Sequence, residues 1–350
     1  MTRTGQAVVT VGKEFSIGEY TVPDPASGTV LLQQELGGIC GTDLHNWQKG
    51  IERATMLGHE NVGVIAALGK GVTTDYNGTP LREGDRVVFH PRNTVMASGH
   101  GGAGEPFSGG FADYIYLSDP ESCIIKSESP PQVGVLAEPF TIGVHAALRG
   151  GVKIGDTVIV QGAGPIGMMC LIAARISGAG RLIVIGGPAG RLELARKLGA
   201  HETIDIMAVP EADERREMAL SMTPGRAGAD VVIEAAGFLP AFPEGLELVK
   251  EDGVFVEVGH YVDVGTVTVN PHRHFLRPNL RLEGVRGSNF HHFVRAVAVM
   301  ESGGIDFAPV ISHILPLERV REGFDALDSG YMLDGTTAFK IAVRGAFGAS

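Results

Sequence analysis

Thr157-Val158-Ile159-Val160-Gln161-Gly162-Ala163-Gly164-Pro165-Ile166-Gly167 is the stretch on which the fold turns. Its first four residues form the short, apolar, mostly β-branched run of a strand buried on both faces of a parallel sheet. A GxGxxG turn follows. Gly162 permits the tight turn, Gly164 lets backbone approach a pyrophosphate, and Gly167 lets helix and strand pack closely. The apolar helix that begins at Pro165 and Ile166 presents free N–H groups and the positive end of its dipole to phosphates. Gly accounts for 50 of the 350 residues, so the motif alone is weak. Its place between a buried strand and an apolar helix favours a dinucleotide site over a structural turn.

Downstream the pattern repeats. A second strand is expected over 181–185 and a helix over 192–198, then strands over 230–234, 253–258 and 280–285. Strands alternating with helices imply a parallel, doubly wound sheet, the arrangement of a six-stranded dinucleotide-binding domain, of which five strands are named. The acidic residue that usually binds the adenosine ribose at the end of the second strand is missing; Gly186-Gly187-Pro188 stands there. Nothing at that point repels a 2′-phosphate, yet the nearest basic group is a lone Arg191, which is thin clamping for NADP. The reading leans to NAD and leaves NADP open.

Upstream the texture differs. Short β-rich segments, among them 28–35 and 86–89, are separated by Gly, Pro and Asp turns, as in an irregular β-barrel-like domain. A helix over 133–148 carries Glu138 near its start. After 287 a helix and a last strand over 338–343 bring the tail back to the first domain. The expected organisation is α/β, with a barrel-type domain over 1–150 and 288–350 and a nucleotide-binding domain over 151–287.

Composition narrows the class. Length alone favours two domains. A net charge of -11 makes nucleic-acid binding a poor first guess. The three cysteines, Cys40, Cys123 and Cys170, are too few for a disulfide framework, which argues for a reducing, cytoplasmic setting. The longest apolar stretch is interrupted by the Gly-rich turn, Gln161 and Arg175, so no membrane span is expected.

Three further segments line up: Gly38-Ile39-Cys40-Gly41-Thr42-Asp43-Leu44-His45, then Leu57-Gly58-His59-Glu60, then Ala137-Glu138-Pro139-Phe140. With the Gly-rich turn and the run Gly228 to Glu234, they resemble the zinc-containing medium-chain dehydrogenase/reductase family over nearly the whole chain. The resemblance implies a GroES-like catalytic domain beside a Rossmann domain. It also implies one catalytic zinc per chain, held by Cys40, His59 and Glu138, where Glu138 stands in a place that is Cys in many relatives. A Cys/His/Glu set with an open fourth position is chemically sensible for a catalytic zinc. Taken singly, a Cys or His is more often a core or surface residue, and an acid at a helix start has its own electrostatic reason to be there. The joint pattern carries the assignment.

The same resemblance gives Asp43 the task of orienting His59. It sets Glu60 behind the metal or in place of water, and makes Thr42 and His45 a proton relay. Lys340 is similar to a basic residue that contacts the pyrophosphate, with a surface lysine as the alternative. Val258, Gly259 and Ser288 are expected to approach the nicotinamide, and Trp47 is either a wall of the substrate pocket or a core residue. No cysteine lies between His90 and Gly110, so the four-cysteine structural zinc of many relatives is excluded, and this Gly- and Ser-rich lobe is expected to be mobile. The implied activity is hydride transfer between NAD(P) and a secondary alcohol or polyol, or the matching ketone, in a homodimer or homotetramer. The rivals are a zinc-free reductase of the same superfamily and a non-catalytic NAD(P)H-binding protein. The Cys40 and His59 pair speaks against the first, and the spacing of Thr42 and His45 against the second.

Overall fold

The computed structural model describes residues 3–90, 110–117 and 123–346. The expectations for the 90–110 lobe therefore fall, apart from His90 and Gly110, outside the described residues. The chain divides into two compact units, 1–138 with 293–350, and 139–292. The expected boundaries at 150 and 288 differ from these because the helix Ala137–Gly150 belongs mostly with the second unit. A side chain at its Gly143 would collide with the Met169 backbone, so this helix lies directly against Pro165–Ile176.

The second unit is built on a six-stranded parallel sheet in the order Glu202–Asp205, Arg181–Gly186, Thr157–Gln161, Ala229–Glu234, Val249–Glu257, Arg281–Gly284. This is the doubly wound order, reversing between Thr157–Gln161 and Ala229–Glu234. Its centre is apolar on both faces: Val158, Ile159, Val160, Leu182, Ile183, Val232 and Ile233 have no exposed surface. Covering such a sheet on both sides stabilises it by roughly 1.5–3 kcal/mol per large aliphatic side chain. The helix Pro165–Ile176 is itself buried from Gly167 to Ala174, which is why it lacks a polar face in sequence. Glu202–Asp205 is the strand the sequence hides, since its four residues carry one fully buried side chain, Ile204.

The first unit combines a sheet in the order Ile311–Pro316, Lys340–Arg344, Val30–Gly38, Glu60–Leu68, Arg86–Phe89, Ile124–Lys126 with a smaller one formed by Glu14–Val22, Arg3–Gly12 and Ile51–Thr55. Register brings distant residues of the larger sheet together. Gly38 stands opposite Glu60, and Ala342 opposite Gly38, so three strands far apart in sequence meet at one point. Trp47 lies in this unit's core at 3% exposure, stacked on Phe15, edge-on to Phe324, and donating its indole N–H to the Lys13 carbonyl at 2.9 Å. It is a core residue, and the substrate-wall alternative is set aside.

Candidate active site

Cys40 ends the approach from the strand Val30–Gly38 and caps the helix Gly41–Lys49. The carboxylate of Asp43, in that helix's first turn, folds back to accept the Cys40 N–H at 3.0 Å and the Gly58 N–H at 3.2 Å. It also lies 3.3 Å from His59 Nδ1. One buried carboxylate thus ties together the two segments that carry Cys40 and His59. Gly58 makes the second segment possible: its φ is +99°, a left-handed conformation, and a Cβ there would press on Phe111 at 3.0 Å. Burial opposes charge on His59, but Asp43 and then Cys40 outweigh it and raise its pKa well above the ordinary histidine value. Asp43 is itself held below the usual carboxylate range against its burial, chiefly by His59.

Donor atoms of Cys40, His59 and Glu60 all lie within 4.8 Å of one another. Thiolate, imidazole and carboxylate form a donor set suited to zinc, so the residues present fit the metal the motifs imply. Glu138 is outside that closest group yet shares its field: burial first, and then the charge of Glu60, push its carboxyl up to about 7, with His59 pulling the other way. Glu60 is not free to move toward a metal without cost. Its carboxylate is ion-paired with Lys340, whose ammonium also donates to the Ile39 carbonyl at 3.0 Å, and both side chains are buried, at 1% and 4% exposure. A side chain at Gly38 would occupy the space of the Glu60 carboxylate. The pyrophosphate contact expected of Lys340 therefore has no support here, since its charge is taken up by Glu60; no local sequence signal links residues 280 positions apart. Thr42 and His45 stand three residues apart on the same helix, both half-buried, and so on one face.

In the second unit the glycines of the turn divide the work. Gly162 has φ +105°, and a Cβ would lie 2.7 Å from the Ala235 backbone. A Cβ at Gly167 would overlap the Gly162 carbonyl. At Gly164, by contrast, a Cβ meets nothing within 4 Å, at φ -84°. That open side, at the N-terminus of a helix, is the cradle a pyrophosphate needs. Pro165 and Ile166 open the helix behind it. Gly186 ends its strand with Ala163 where a side chain would be, at 2.6 Å from an added Cβ, so the usual ribose-binding acid cannot be accommodated there. A carboxylate does come close by another route: Asp205 Oδ1 is 3.3 Å from an added Cβ at Gly187. Sequence reading missed it because its strand was not recognised. Arg191 is in the first turn of the helix Ala189–Leu198. Val258 and Gly259 bond through their N–H groups to the Glu234 carbonyl at 2.9 and 3.0 Å, and Ser288 Oγ accepts from Thr141 at 2.8 Å.

The model of the alcohol dehydrogenase GroES-like domain matches residues 26–128, and that of the zinc-binding dehydrogenase matches 165–302. The 5-exo-hydroxycamphor dehydrogenase of Pseudomonas putida is 31% identical, over 93% of this chain and 96% of its own. The L-threonine 3-dehydrogenase of Sinorhizobium fredii is 32% identical, over 94% and 97%. Among solved structures, an alcohol dehydrogenase from Thermotoga maritima superposes with a TM-score of 0.88 at 26% identity, covering 98% of this chain and 99% of that one. The chain belongs to the zinc-type medium-chain dehydrogenase/reductase family. Within it, the protein is an NAD(P)-linked alcohol dehydrogenase.

Proposed function

We propose that the protein interconverts a secondary alcohol or polyol and its ketone at a zinc held by Cys40, His59 and Glu138. The observation that carries this reading is the cluster in which the buried Asp43 joins the half-buried Cys40 and His59 while Lys340 engages Glu60. With Glu60 neutralised by a lysine, Glu138 is the carboxylate left for the third position. The hydroxycamphor and threonine dehydrogenases are both named for substrates that react at a secondary hydroxyl, which favours that substrate class. The metal supplies Lewis acidity to the reacting oxygen, and the nicotinamide supplies the hydride acceptor or donor.

The remaining work falls to side chains. Thr42 accepts the substrate hydroxyl proton at its Oγ1 as it gives up its own proton toward the ribose hydroxyls, and His45, three residues further along the helix, passes a proton to solvent. Asp43 fixes the tautomer of His59 by accepting its Nδ1–H, which leaves Nε2 as the donor. In the second unit, Gly162, Gly164 and Gly167 with Pro165 and Ile166 bind the pyrophosphate, Gly186, Gly187 and Arg191 border the adenosine ribose, and Val258, Gly259 and Ser288 border the nicotinamide. Asp205 beside Gly187 adds negative charge where NADP carries its phosphate, so NAD is the preferred cofactor. The exposed edge strand Arg281–Gly284, with Leu282 at 45% exposure, supports assembly into a homodimer or homotetramer. Three unpaired cysteines fit a cytoplasmic setting, and among the described residues no helix is long and apolar enough to cross a membrane.

Zinc analysis and a substrate panel test this together. The expected result is nicotinamide-linked turnover of secondary alcohols, faster with NAD than with NADP, that disappears with the thiolate-bound zinc in Cys40→Ala. Full zinc content in Cys40→Ala would overturn the ligand assignment.

A further inference from the structure

The carboxyl ends of the fourth and fifth strands of the parallel sheet carry a cluster that the dehydrogenase reaction does not use. Glu234 is the last residue of Ala229–Glu234, Glu257 the last of Val249–Glu257, and His260 follows three residues later. Glu234 has no exposed surface. Its Oε1 accepts the N–H groups of Ala236 at 2.7 Å and Gly237 at 2.9 Å, closing the turn after its strand. Its Oε2 has no hydrogen-bond partner, and neither have the buried Glu257 Oε2 and His260 Nε2. The His260 ring stands between the two carboxylates, with Nδ1 2.9 Å from Glu257 Oε1 and 3.3 Å from Glu234 Oε2.

The charges do not close. Two carboxylates share one imidazole N–H, which can serve only one of them, and among the described residues neither carboxylate is paired with an Arg or Lys. A buried, underpaired carboxylate is expensive. A divalent cation would satisfy all three groups at once.

We propose that Glu234, Glu257 and His260 bind a divalent transition-metal ion, forming a second metal site separate from the one at Cys40. Donor atoms of the three residues lie within 4.8 Å of one another. Ligands at about 2.0–2.2 Å from a zinc-like ion stand roughly 2.8–3.6 Å apart in octahedral or tetrahedral arrangements, a range that includes the 2.9 and 3.3 Å from His260 Nδ1 to the two carboxylates. Two carboxylates neutralise a 2+ charge, and an imidazole with oxygen ligands suits zinc or manganese over calcium. A cavity of about 550 Å³, lined by Glu257, His260, Phe242, Tyr261, Asp263 and Arg286 among others, gives the ion an entry path and room for water. The ion would pin together the two turns that lead into Gly237 and into Val258-Gly259.

The test is metal stoichiometry on the full chain, using Zn²⁺ and then Co²⁺ as probes. The expected result is two ions per chain, one giving the thiolate-to-cobalt absorption of Cys40 and one without it; His260→Ala and Glu257→Gln each lose only the ion without that band. A wild-type protein that saturates with one thiolate-bound ion overturns the second site and leaves the Cys40 assignment standing. A single ion without the band does the reverse. Retention of a thiolate-free ion in both variants also overturns the proposal, because that ion is then held by other residues. Should His260→Ala fail to fold, the wild-type cobalt spectrum and Glu257→Gln decide.

Discussion

The two units prepare their ligand sites by opposite means. Around Cys40 and His59 the preparation is charge: Asp43, Glu60 and Lys340 are packed together out of water beside the half-buried Glu138, with His59 and Lys340 compensating the carboxylates. At the Gly-rich turn it is omission: Gly162 and Gly167 let backbone touch backbone, and Gly164 leaves a space unfilled. A charged site is broken by removing one member, because the others are left buried without compensation. A site made of empty space is broken by adding atoms, so the two call for different mutations.

The largest effect is expected from Cys40→Ala. Loss of a Lewis acid worth several kcal/mol at the transition state corresponds to a fall in turnover of roughly 10³-fold or more. The check is turnover measured alongside the content of thiolate-bound metal.

Gly164→Val is the counterpart in the second unit. The site is open and the backbone angle ordinary, so the fold should survive, while the side chain fills the pyrophosphate cradle and cofactor titration finds no binding. Gly167→Ala should do the reverse damage: its Cβ overlaps the Gly162 carbonyl, so thermal stability falls along with binding. If Gly164→Val binds NAD normally, the turn is merely structural.

Thr42→Val keeps shape and metal but removes the hydroxyl expected to take the proton. A drop in kcat of roughly 10²–10⁴-fold is expected, with Thr42→Ser retaining much of the rate and His45→Ala milder than Thr42→Val. Near-native turnover with full zinc would point instead to Glu60.

Lys340→Met separates the electrostatic design from catalysis. Leaving Glu60 buried without its partner should cost about 3–5 kcal/mol of stability in denaturant unfolding of zinc-free protein. The double change with Glu60→Gln should recover most of it. No loss in the single variant would show that the pair is not what organises the site.

The smallest effect is chemical. Burial pushes the thiols of Cys123 and Cys170 up to about 12, and neither has exposed surface, whereas Cys40 is half-buried. Alkylation near neutral pH should therefore label one cysteine per chain after chelation and none before, as mass spectrometry would read.

By itself the sequence determined the parts in which neighbours along the chain do the work. The buried strand, Gly-rich turn and helix of 157–176 are local, and their periodicity and glycines follow from backbone sterics that act within a few residues. The helix start that sets Asp43 under Cys40, and the left-handed Gly58 before His59, are local as well. Tertiary structure alone decided what depends on charges and spaces meeting across the chain. The pairing of Lys340 with Glu60 comes from three strands in register. Asp205 reaches Gly187 through a strand with almost no hydrophobic signature. Glu234, Glu257 and His260 are joined because parallel strands end side by side. Trp47 became a core residue because Phe15 and Phe324 close around it. Coulombic and packing energies depend on distance in space, which a one-dimensional pattern does not encode.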